Sequence, residues 1–397
     1  MGKIVITGLG VVSALGASKQ SFWEALSKGD APFRRLTRLG TAASTPWGAE
    51  VADFEGPVPA KAKQPWTGNR SIQFAIAAVR QALEDAGLGI DDSTGSQVGV
   101  VFGSTRSCLD LIVKLDQDGV QRGPRTVDPL LFPDANPCAP SCRVSLQLGL
   151  TAFNAILSNG PTAGLDAINY GCNAIRDGLA PVVVACGVEE LTPVTFLFRE
   201  SMEHIASDPL SSGPFAGDGV VLGEGCAVLV LESEEHARDR QANILAEVSG
   251  YATCFWPDYP LTAGALAAPE FAMRSAMAMA GVTPEQIDVV FASANGDAAG
   301  DRLEAKALQS VVPGVPVIAV KASLGETHSA AGCFETAACV LAMKELTIPA
   351  TRVSDGRQVV PELLSRAKQG PVRVGLINCF STSSSTQTYS SLVLEAC

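Results

Sequence analysis

Histidine and cysteine are the side chains of this sequence that could supply a general base, a nucleophile or a soft metal ligand. The chain has only three histidines among 397 residues. His236 lies in a charged run and is predicted to face solvent, and His204 precedes an Asp-Pro break and is predicted to be structural. His328 stands in a Gly/Ala-rich entry to a helix, where it could act as a base or make a structural hydrogen bond. No two histidines have metal-ligand spacing, so no metal site is predicted.

The eleven cysteines are scattered and odd in number. They form no Cys-x-x-Cys pair, and Cys138 and Cys142 lack the companion pair of a zinc site. We therefore expect reduced thiols that fill apolar cores. The sequence has no Gly-x-Ser-x-Gly elbow, and Gly8 and Gly10 lack the third glycine of a dinucleotide fingerprint. No cofactor is predicted.

Charge and hydropathy narrow the range of partners and locations. The formal charge is 29 − 41 = −12 with no cluster of Lys and Arg, so neither a nucleic acid nor an anionic membrane is a predicted partner. Charged residues make up 18% of the chain, below the usual quarter or so, which is compatible with a surface partly covered by another protein. No apolar run approaches the roughly 18–20 residues of a membrane span, and no leader pattern precedes the first strand. We expect a cytoplasmic protein.

The predicted helices and strands that position the histidines and cysteines fall into two halves of the chain. The length exceeds one compact core, and the pattern predicts an N-terminal half at residues 1–240 and a C-terminal half at 241–397. A helix ending in Ala-Gly, a short loop and a strand occur in both halves, which indicates an internal duplication. A Ser/Thr-rich run at 381–391 is predicted as a hairpin loop, with disorder as the alternative. Continuous Val/Ile runs predict strands covered on both faces at 3–8, 98–103, 181–187, 226–232, 288–294, 315–321, 371–378 and 390–395, and apolar periodicity predicts helices at 71–87, 164–175, 268–281 and 330–346.

Five segments, in order along the chain, resemble the β-ketoacyl synthases, the condensing enzymes of fatty-acid and polyketide assembly. They are KIVITGLGVVSALG with the following FWEALSKG, VDPLLFP, PFAGDGVVLGEG, the Lys-Gly-helix segment from Lys321 to Gly332, and INCF at 377–380. The resemblance spans nearly the whole chain. It implies an α/β fold of the thiolase type, a five-layer αβαβα sandwich built from two duplicated halves and paired as a dimer.

The same resemblance implies where the catalytic residues should stand, and there the sequence departs from the family. An active synthase has a cysteine at the start of a buried helix, and the matching position is Pro161. Proline has no nucleophilic side chain, so no acyl-enzyme can form there. The first histidine falls on Ser293, or on Asn295 if a two-residue gap is allowed, and the second falls on Glu326. The resemblance therefore implies no catalytic residue at these degenerate positions.

The family's lysine is retained as Lys321, with Glu304 as a candidate acidic partner. Loss of the cysteine and both histidines on a retained scaffold resembles chain-length factors, the non-catalytic ketosynthase-like subunits of type II polyketide synthases. Those of aromatic pathways usually carry Gln where this chain has Pro161. This resemblance implies a heterodimer with a catalytic ketosynthase, and only indirect contact with the acyl carrier protein that docks on that partner.

In such a complex this chain would form part of the wall of an interface tunnel that limits polyketide or polyene length. An amphipathic interface helix over 107–116 without a tunnel role is the plainer alternative. Two other functions stay open: an acyl-binding homodimer, and a stand-alone acyltransferase or decarboxylase that uses Cys172 or Ser158 with His328. The predicted tunnel and interface residues are Cys108, Leu109, Ile112, Asp116, Phe132, Asp134 and Asn136.

Overall fold

The structure is a computed structural model that describes residues 2–36, 47–52, 54–56, 68–202, 205–210, 212–217, 219–257, 263–353, 360, 362–381 and 387–397. Its α-helices are α1 (Lys19–Lys28), α2 (Arg70–Asp85), α3 (Asp92–Gly95), α4 (Leu109–Arg122), α5 (Ala139–Leu148), α6 (Ala163–Arg176), α7 (Pro193–Met202), α8 (Glu234–Asp239), α9 (Ala267–Ala280), α10 (Ala298–Val311), α11 (Lys321–Leu324) and α12 (Ala331–Lys344). Its strands are β1 (Ile4–Ser13), β2 (Arg34–Arg35), β3 (Trp47–Ala49), β4 (Val98–Gly103), β5 (Asn154–Leu157), β6 (Val182–Glu189), β7 (Leu222–Gly223), β8 (Gly225–Ser233), β9 (Ala246–Phe255), β10 (Val289–Phe291), β11 (Val317–Ile318), β12 (Thr347–Ile348), β13 (Lys368–Gln369), β14 (Val374–Ser381) and β15 (Thr388–Glu395).

Ten strands form one mixed sheet in which the same topology occurs twice. Its order is β11-β10-β14-β15-β9-β1-β8-β6-β4-β5. From either outer edge inward, the first three strands are parallel and the next two are antiparallel. The two sets meet where Val5 and Ile6 of β1 pair with Glu247 and Ala246 of β9. The chain therefore contains two duplicated halves, as the sequence predicted.

Three apolar cores separate the layers. One lies between α2 and the first set of strands, and another lies between α9, α10 and the second set. The central core contains α6 and α12 together with strands of both sets. On β4, Val100 and Phe102 belong to the outer core whereas Val101 belongs to the central one, because neighbouring side chains of a strand point to opposite faces. The two sets of strands form two sheet layers. The central helices lie between them and outer helices cover each, which makes a five-layer αβαβα sandwich of the thiolase type.

The two central helices approach each other at their first turns, which places their N-termini in one buried region. A Cβ atom on Gly164 would lie 2.4 Å from the carbonyl oxygen of Ser329, and one on Gly332 would lie 2.9 Å from Leu165. Only glycine allows this approach, since either Cβ would overlap its neighbour. The start of α6, where Pro161 precedes the helix, is thereby held against the segment that enters α12.

Most predicted elements are confirmed, with differences at the short strands. The run at 315–321 was predicted as a strand, but only Val317–Ile318 forms β11 and Lys321 begins α11. Strands β14 and β15 pair as an antiparallel hairpin around the Ser/Thr-rich run, whose residues 382–386 lie outside the described residues. The boundary near residue 240 stays a prediction. Among the described residues, no helix has both the length and the apolar character needed to cross a bilayer.

Candidate functional site

The start of α6 presents no reactive side chain. Pro161 precedes the helix, and Gly160 before it adopts a positive φ of 89°. Both carbonyl oxygens are engaged: Cys379 Sγ donates to Pro161 O at 3.1 Å, and Ser329 Oγ donates to Gly160 O at 3.2 Å. At this turn a helix dipole would lower the pKa of a cysteine thiol, but residue 161 supplies a pyrrolidine ring, and the hydroxyl of Thr162 donates to Asp166 at 3.0 Å.

The thiols near this turn are poor nucleophiles. Cys379 is fully buried, and burial raises the pKa of its thiol well above the ordinary value. Cys172 lies inside α6 with 1% exposure, and burial raises the pKa of its thiol to about 12. Because the thiolate is the attacking species, both residues are inert at neutral pH.

The two candidate positions for the first histidine both lie in the polar region after β10. The backbone N–H of Phe380 donates to Ser293 Oγ at 2.8 Å, and Lys321 Nζ donates to Ser293 O at 2.8 Å. Asn295 Nδ2 donates to Glu326 Oε2 at 2.7 Å. A hydroxyl and an amide, each bonded within the protein, therefore stand where an imidazole could have taken or given a proton.

Glu326, at the position of the second histidine, belongs to a buried charge cluster. Lys321 Nζ lies 3.2 Å from Glu326 and 3.8 Å from Glu335. Burial by itself lowers the pKa of Lys321, but these two carboxylates outweigh burial and raise it. Burial likewise opposes ionisation of Glu326, yet Lys321 and Arg199 lower its pKa to about 2. The Glu326 side chain is therefore ionised at neutral pH and has no proton to donate.

Glu335 was missed by the sequence analysis, although it is the only charged residue of α12 before the last position. Burial raises the pKa of Glu335 well above the ordinary value, and no donor among the described residues is within hydrogen-bond distance of its oxygens. Glu304 is not an ion-pair partner of Lys321 within the described residues, which corrects that expectation. It instead accepts hydrogen bonds from the Ser293 amide at 2.9 Å and from Asn378 Nδ2 at 3.1 Å.

His328 lies beside this cluster at a positive φ of 51°. Its backbone N–H donates to Glu326 Oε1 at 2.7 Å, and its Nδ1 lies 3.6 Å from Glu189 Oε1. Burial lowers the pKa of His328 to about 4, so the ring is neutral at pH 7. The ring lines a narrow cleft together with Arg106 and Arg199.

His236 lies on α8, away from this region. His236 was predicted to face solvent, but its Nδ1 lies 2.7 Å from Glu232 and its side chain is 30% exposed, because a buried carboxylate at the preceding turn draws it inward. His204 lies outside the described residues. Within the described part of the chain, no hydrogen bond joins Ser158 to His328; Ser158 Oγ donates to Ser104 O at 2.8 Å.

Known proteins share this architecture and parts of this sequence. A family model described as the β-ketoacyl synthase N-terminal domain matches residues 1–237, and one described as its C-terminal domain matches residues 245–355. The chain belongs to the β-ketoacyl synthase family. It is 32% identical to 3-oxoacyl-[acyl-carrier-protein] synthase 2 of Coxiella burnetii, with 88% of this chain and 87% of that protein covered. It is 31% identical, with the same coverage, to a putative polyketide beta-ketoacyl synthase 1 of Streptomyces cyaneus.

Solved ketosynthase structures superpose over the full length. The ishigamide ketosynthase/chain length factor has a TM-score of 0.86 and 27% identity, covering 100% of this chain and 99% of that one. A beta-ketoacyl synthase from Burkholderia phymatum has a TM-score of 0.87 and 25% identity, with both chains fully covered. The ketosynthase fold is therefore complete here, including the region around Pro161.

Within this ketosynthase fold, the predicted tunnel residues on α4 differ in exposure. Leu109 and Ile112 are half-buried, and Asp116 is exposed. Cys108 is fully buried and lies in the core beneath α2, so its side chain does not reach the α4 surface. Leu109, Ile112 and Asp116 are thus the predicted residues that α4 presents outward.

The predicted residues that precede α5 also differ in exposure. Phe132 is 70% exposed. Asp134, two positions later, is 1% exposed and accepts a hydrogen bond from Arg143 Nε at 2.6 Å. Its side chain is therefore not accessible to a partner protein. Asn136 is half-buried; its Nδ2 donates to Pro133 O at 2.9 Å and its Oδ1 accepts from the Cys138 amide at 3.0 Å.

An apolar surface surrounds these residues at one edge of the sheet. Strand β5 is the outermost strand, and α5, which contacts it, exposes 71% of Leu146. Leu130, two positions before Phe132 in the segment that leads to α5, is 58% exposed. We call the surface made by β5 with Leu130, Phe132 and Leu146 the β5 face. Its edge strand and large apolar side chains are features of a surface that another protein covers.

Proposed function

We propose that this chain is a non-catalytic ketosynthase-like subunit that pairs with a catalytic ketosynthase and helps to limit the length of a polyketide or polyene. The observation that carries the proposal is the start of α6, where Pro161 offers no nucleophile. The groups that would assist catalysis are engaged with one another, Asn295 with Glu326 and Lys321 with Ser293. Similarity to the ishigamide ketosynthase/chain length factor supports the same assignment.

The catalytic subunit is proposed to dock on the β5 face. An edge strand has unpaired backbone groups, and burial of exposed aromatic and aliphatic side chains stabilises association. The net charge of −12 disfavours direct docking of an acidic acyl carrier protein on this chain. The carrier is therefore proposed to bind the catalytic partner and to meet this subunit only indirectly.

The tunnel wall is proposed to include Leu109, Ile112 and Asp116 of α4, with Phe132 and Asn136 near the partner's pocket. Leu109 and Ile112 are three positions apart, so both lie on one face of the helix. A larger side chain at either position would reduce the space available to a growing chain.

A stand-alone synthase is the second candidate, because relatives at 32% identity are named 3-oxoacyl-[acyl-carrier-protein] synthase 2. It requires a nucleophile other than residue 161. Cys172 is buried with a pKa of about 12, and Ser158 has no imidazole bonded to it in the described region. These observations favour the non-catalytic subunit over the independent enzyme or the acyl-binding homodimer.

Acylation of the purified chain separates these functions. The chain alone, incubated with acetyl and malonyl thioesters of a carrier protein, is expected to gain no mass and release no carbon dioxide. Co-expressed with a catalytic ketosynthase, it is expected to elute as a 1:1 heterodimer that elongates the thioester. Covalent acylation of the isolated chain would contradict the proposal, and a stable homodimer that ignores the ketosynthase would favour the binding protein.

The wall is tested in that heterodimer by Ile112→Trp, with Leu109→Trp as its companion. Both variants are expected to shift the products to shorter chains, because an indole adds volume inside a fixed cavity. Gln117→Trp, at an exposed position on a different face of α4, is the matched control and should leave the product length unchanged. Product masses measure the distribution, and an unchanged distribution with an intact heterodimer would overturn the wall assignment.

A further inference from the structure

The start of α4 lacks the usual means of holding a helix N-terminus. Its N-cap residue, Cys108, makes no side-chain cap and adopts a left-handed backbone with φ 64° and ψ 14°. The carbonyl oxygen of Cys108 nevertheless accepts the first helical hydrogen bonds, from the amides of Leu111 at 3.1 Å and Ile112 at 3.2 Å. Left-handed backbone at a non-glycine residue persists only where the surroundings enforce it.

Two adjacent glutamates at the end of β6 supply that enforcement. Glu189 accepts hydrogen bonds from the amides of Thr105 at 2.7 Å and Arg106 at 3.1 Å. Glu190 accepts from the amide of Cys108 at 2.7 Å. Both side chains are almost completely buried, at 3% and 5% exposure. The segment leading into α4 is thereby bonded to the sheet through carboxylates rather than through its own cap.

Glu190 also holds the start of α2. Its Oε1 accepts from Asn69 Nδ2 at 3.0 Å in addition to the Cys108 amide, and its Oε2 accepts from the Ser71 amide at 3.2 Å. Ser71 in turn lies 3.8 Å from the Cys108 sulfur. One carboxyl group therefore joins the end of β6 to the N-termini of both α2 and α4.

We propose that Glu190 is a positioning residue that fixes the first turn of α4 and, resting on the proposed function, the tunnel wall at Leu109 and Ile112. The wall side chains follow Cys108 by one and four positions, so a shift of its backbone displaces both. Removal of the carboxyl group leaves the Cys108 amide, whose only acceptor in the described residues is Glu190, buried and without a partner.

Hydrogen exchange of the full-length chain tests the positioning role without reference to products. Glu190→Ala is expected to speed amide exchange across residues 108–113 by at least tenfold. Glu190→Gln, which keeps one oxygen acceptor, is expected to restore most of the protection. Should Glu190→Ala fail to fold, Glu190→Asp, one methylene shorter, is compared with Glu190→Gln in the same way.

Glu232→Ala is the matched control. Glu232 is equally buried, on β8, and holds Thr7, His236 and Arg240 rather than α4. It is expected to leave exchange at 108–113 unchanged. Unaltered exchange in Glu190→Ala, or an equal increase in Glu232→Ala, would overturn the positioning role.

The heterodimer separates this inference from the proposed function. Glu190→Ala is expected to broaden the distribution of product lengths, whereas Glu190→Gln stays close to the unmodified chain. Faster exchange in α4 with an unchanged distribution would support Glu190 as the residue that holds α4 and would contradict the wall role of α4. No change in either measurement would overturn the inference itself.

Discussion

The region around Pro161 and the β5 face differ in nearly every physical respect. Around Pro161 the side chains are buried and polar, and they bond to one another, as in the contact of Lys321 with Glu326 at 3.2 Å. On the β5 face the side chains are exposed and apolar, with Phe132 70% and Leu146 71% exposed. Most polar groups of the first region are bonded within the chain, with Glu335 as an exception, whereas the second region exposes large apolar groups.

This difference indicates which surface the chain uses. Buried charges cost free energy unless they are paired, so the cluster around Lys321 is explained by its internal bonds without any reaction. Exposed apolar side chains beside an edge strand gain stability only when a partner removes them from water. The ketosynthase framework is thus present, and the proposed function assigns association to the β5 face and the loss of the nucleophile to Pro161.

The largest expected effect comes from breaking the buried cluster. Lys321→Ala should lower the free energy of unfolding by about 3–5 kcal/mol, because Glu326 would remain ionised and buried without its cation. Urea unfolding of the isolated chain measures the change. Lys344→Ala, at the exposed last residue of α12, should stay within about 0.5 kcal/mol of the unmodified chain.

A compensated variant sharpens that result. Lys321→Met combined with Glu326→Gln removes both charges and keeps an oxygen acceptor for one of the two donors, Asn295 or the His328 amide, which bond to different oxygens of Glu326. It should recover most of the lost stability, since a neutral pair needs no cation. A loss as large as that of Lys321→Ala alone would mean that packing, rather than charge pairing, holds the region together.

The substitution Phe132→Asp tests whether the β5 face binds the catalytic ketosynthase. We expect affinity for a catalytic ketosynthase to fall about 30- to 150-fold, that is by about 2–3 kcal/mol, because a central aromatic anchor would be replaced by a charge. The unfolding free energy of the isolated chain should not change, since Phe132 is exposed there. Titration of the labelled chain with its ketosynthase measures the affinity.

Phe271→Asp is the matched control for this prediction. Phe271 is 56% exposed on α9, an outer helix of the other half of the molecule. The same substitution there should leave affinity unchanged. Equal losses in both variants would show that exposed aromatic residues in general, rather than the β5 face, mediate association.

The sequence predicted long buried strands well, because β4 and β8 are continuous apolar runs that no exposed element would tolerate. It missed β9, where buried and half-buried residues alternate through Gly, Tyr and Thr, and it overextended the short β11. At the site, motif spacing predicted Pro161, Ser293 or Asn295, and Glu326 as the degenerate positions, and these assignments stay predictions.

Tertiary contacts explain the residues that the sequence could not assign. Phe132 and Asp134 are two positions apart in one short 3-10 helix, yet one is exposed and the other is paired with Arg143. Glu190 has no motif of its own, and its role depends on the approach of α2 and α4 to the end of β6. Glu335 was detectable only as a charge inside an apolar helix.

The smallest expected effect concerns the pH dependence of the buried region. Burial lowers the pKa of His328 to about 4, below the roughly 6.5 expected in the unfolded chain. As the pH falls, the unfolded chain binds this proton first, so the contribution of His328 to stability is present above pH 6.5 and is lost towards pH 4. His328→Asn removes this titration and tolerates the positive φ of 51°.

Between pH 6 and 4.5, the unfolding free energy of the unmodified chain should therefore fall relative to that of His328→Asn by about 1.4 kcal/mol per pH unit. Burial raises the pKa of Asp301 and of Glu190 to about 7, so both favour the folded state as the pH falls. They are present in both proteins, and the difference between the two curves isolates the imidazole. Urea unfolding at several pH values measures that difference. Parallel curves would mean that His328 can be protonated in place, which would return an acid–base group to the region around Pro161 and weaken its contrast with the β5 face.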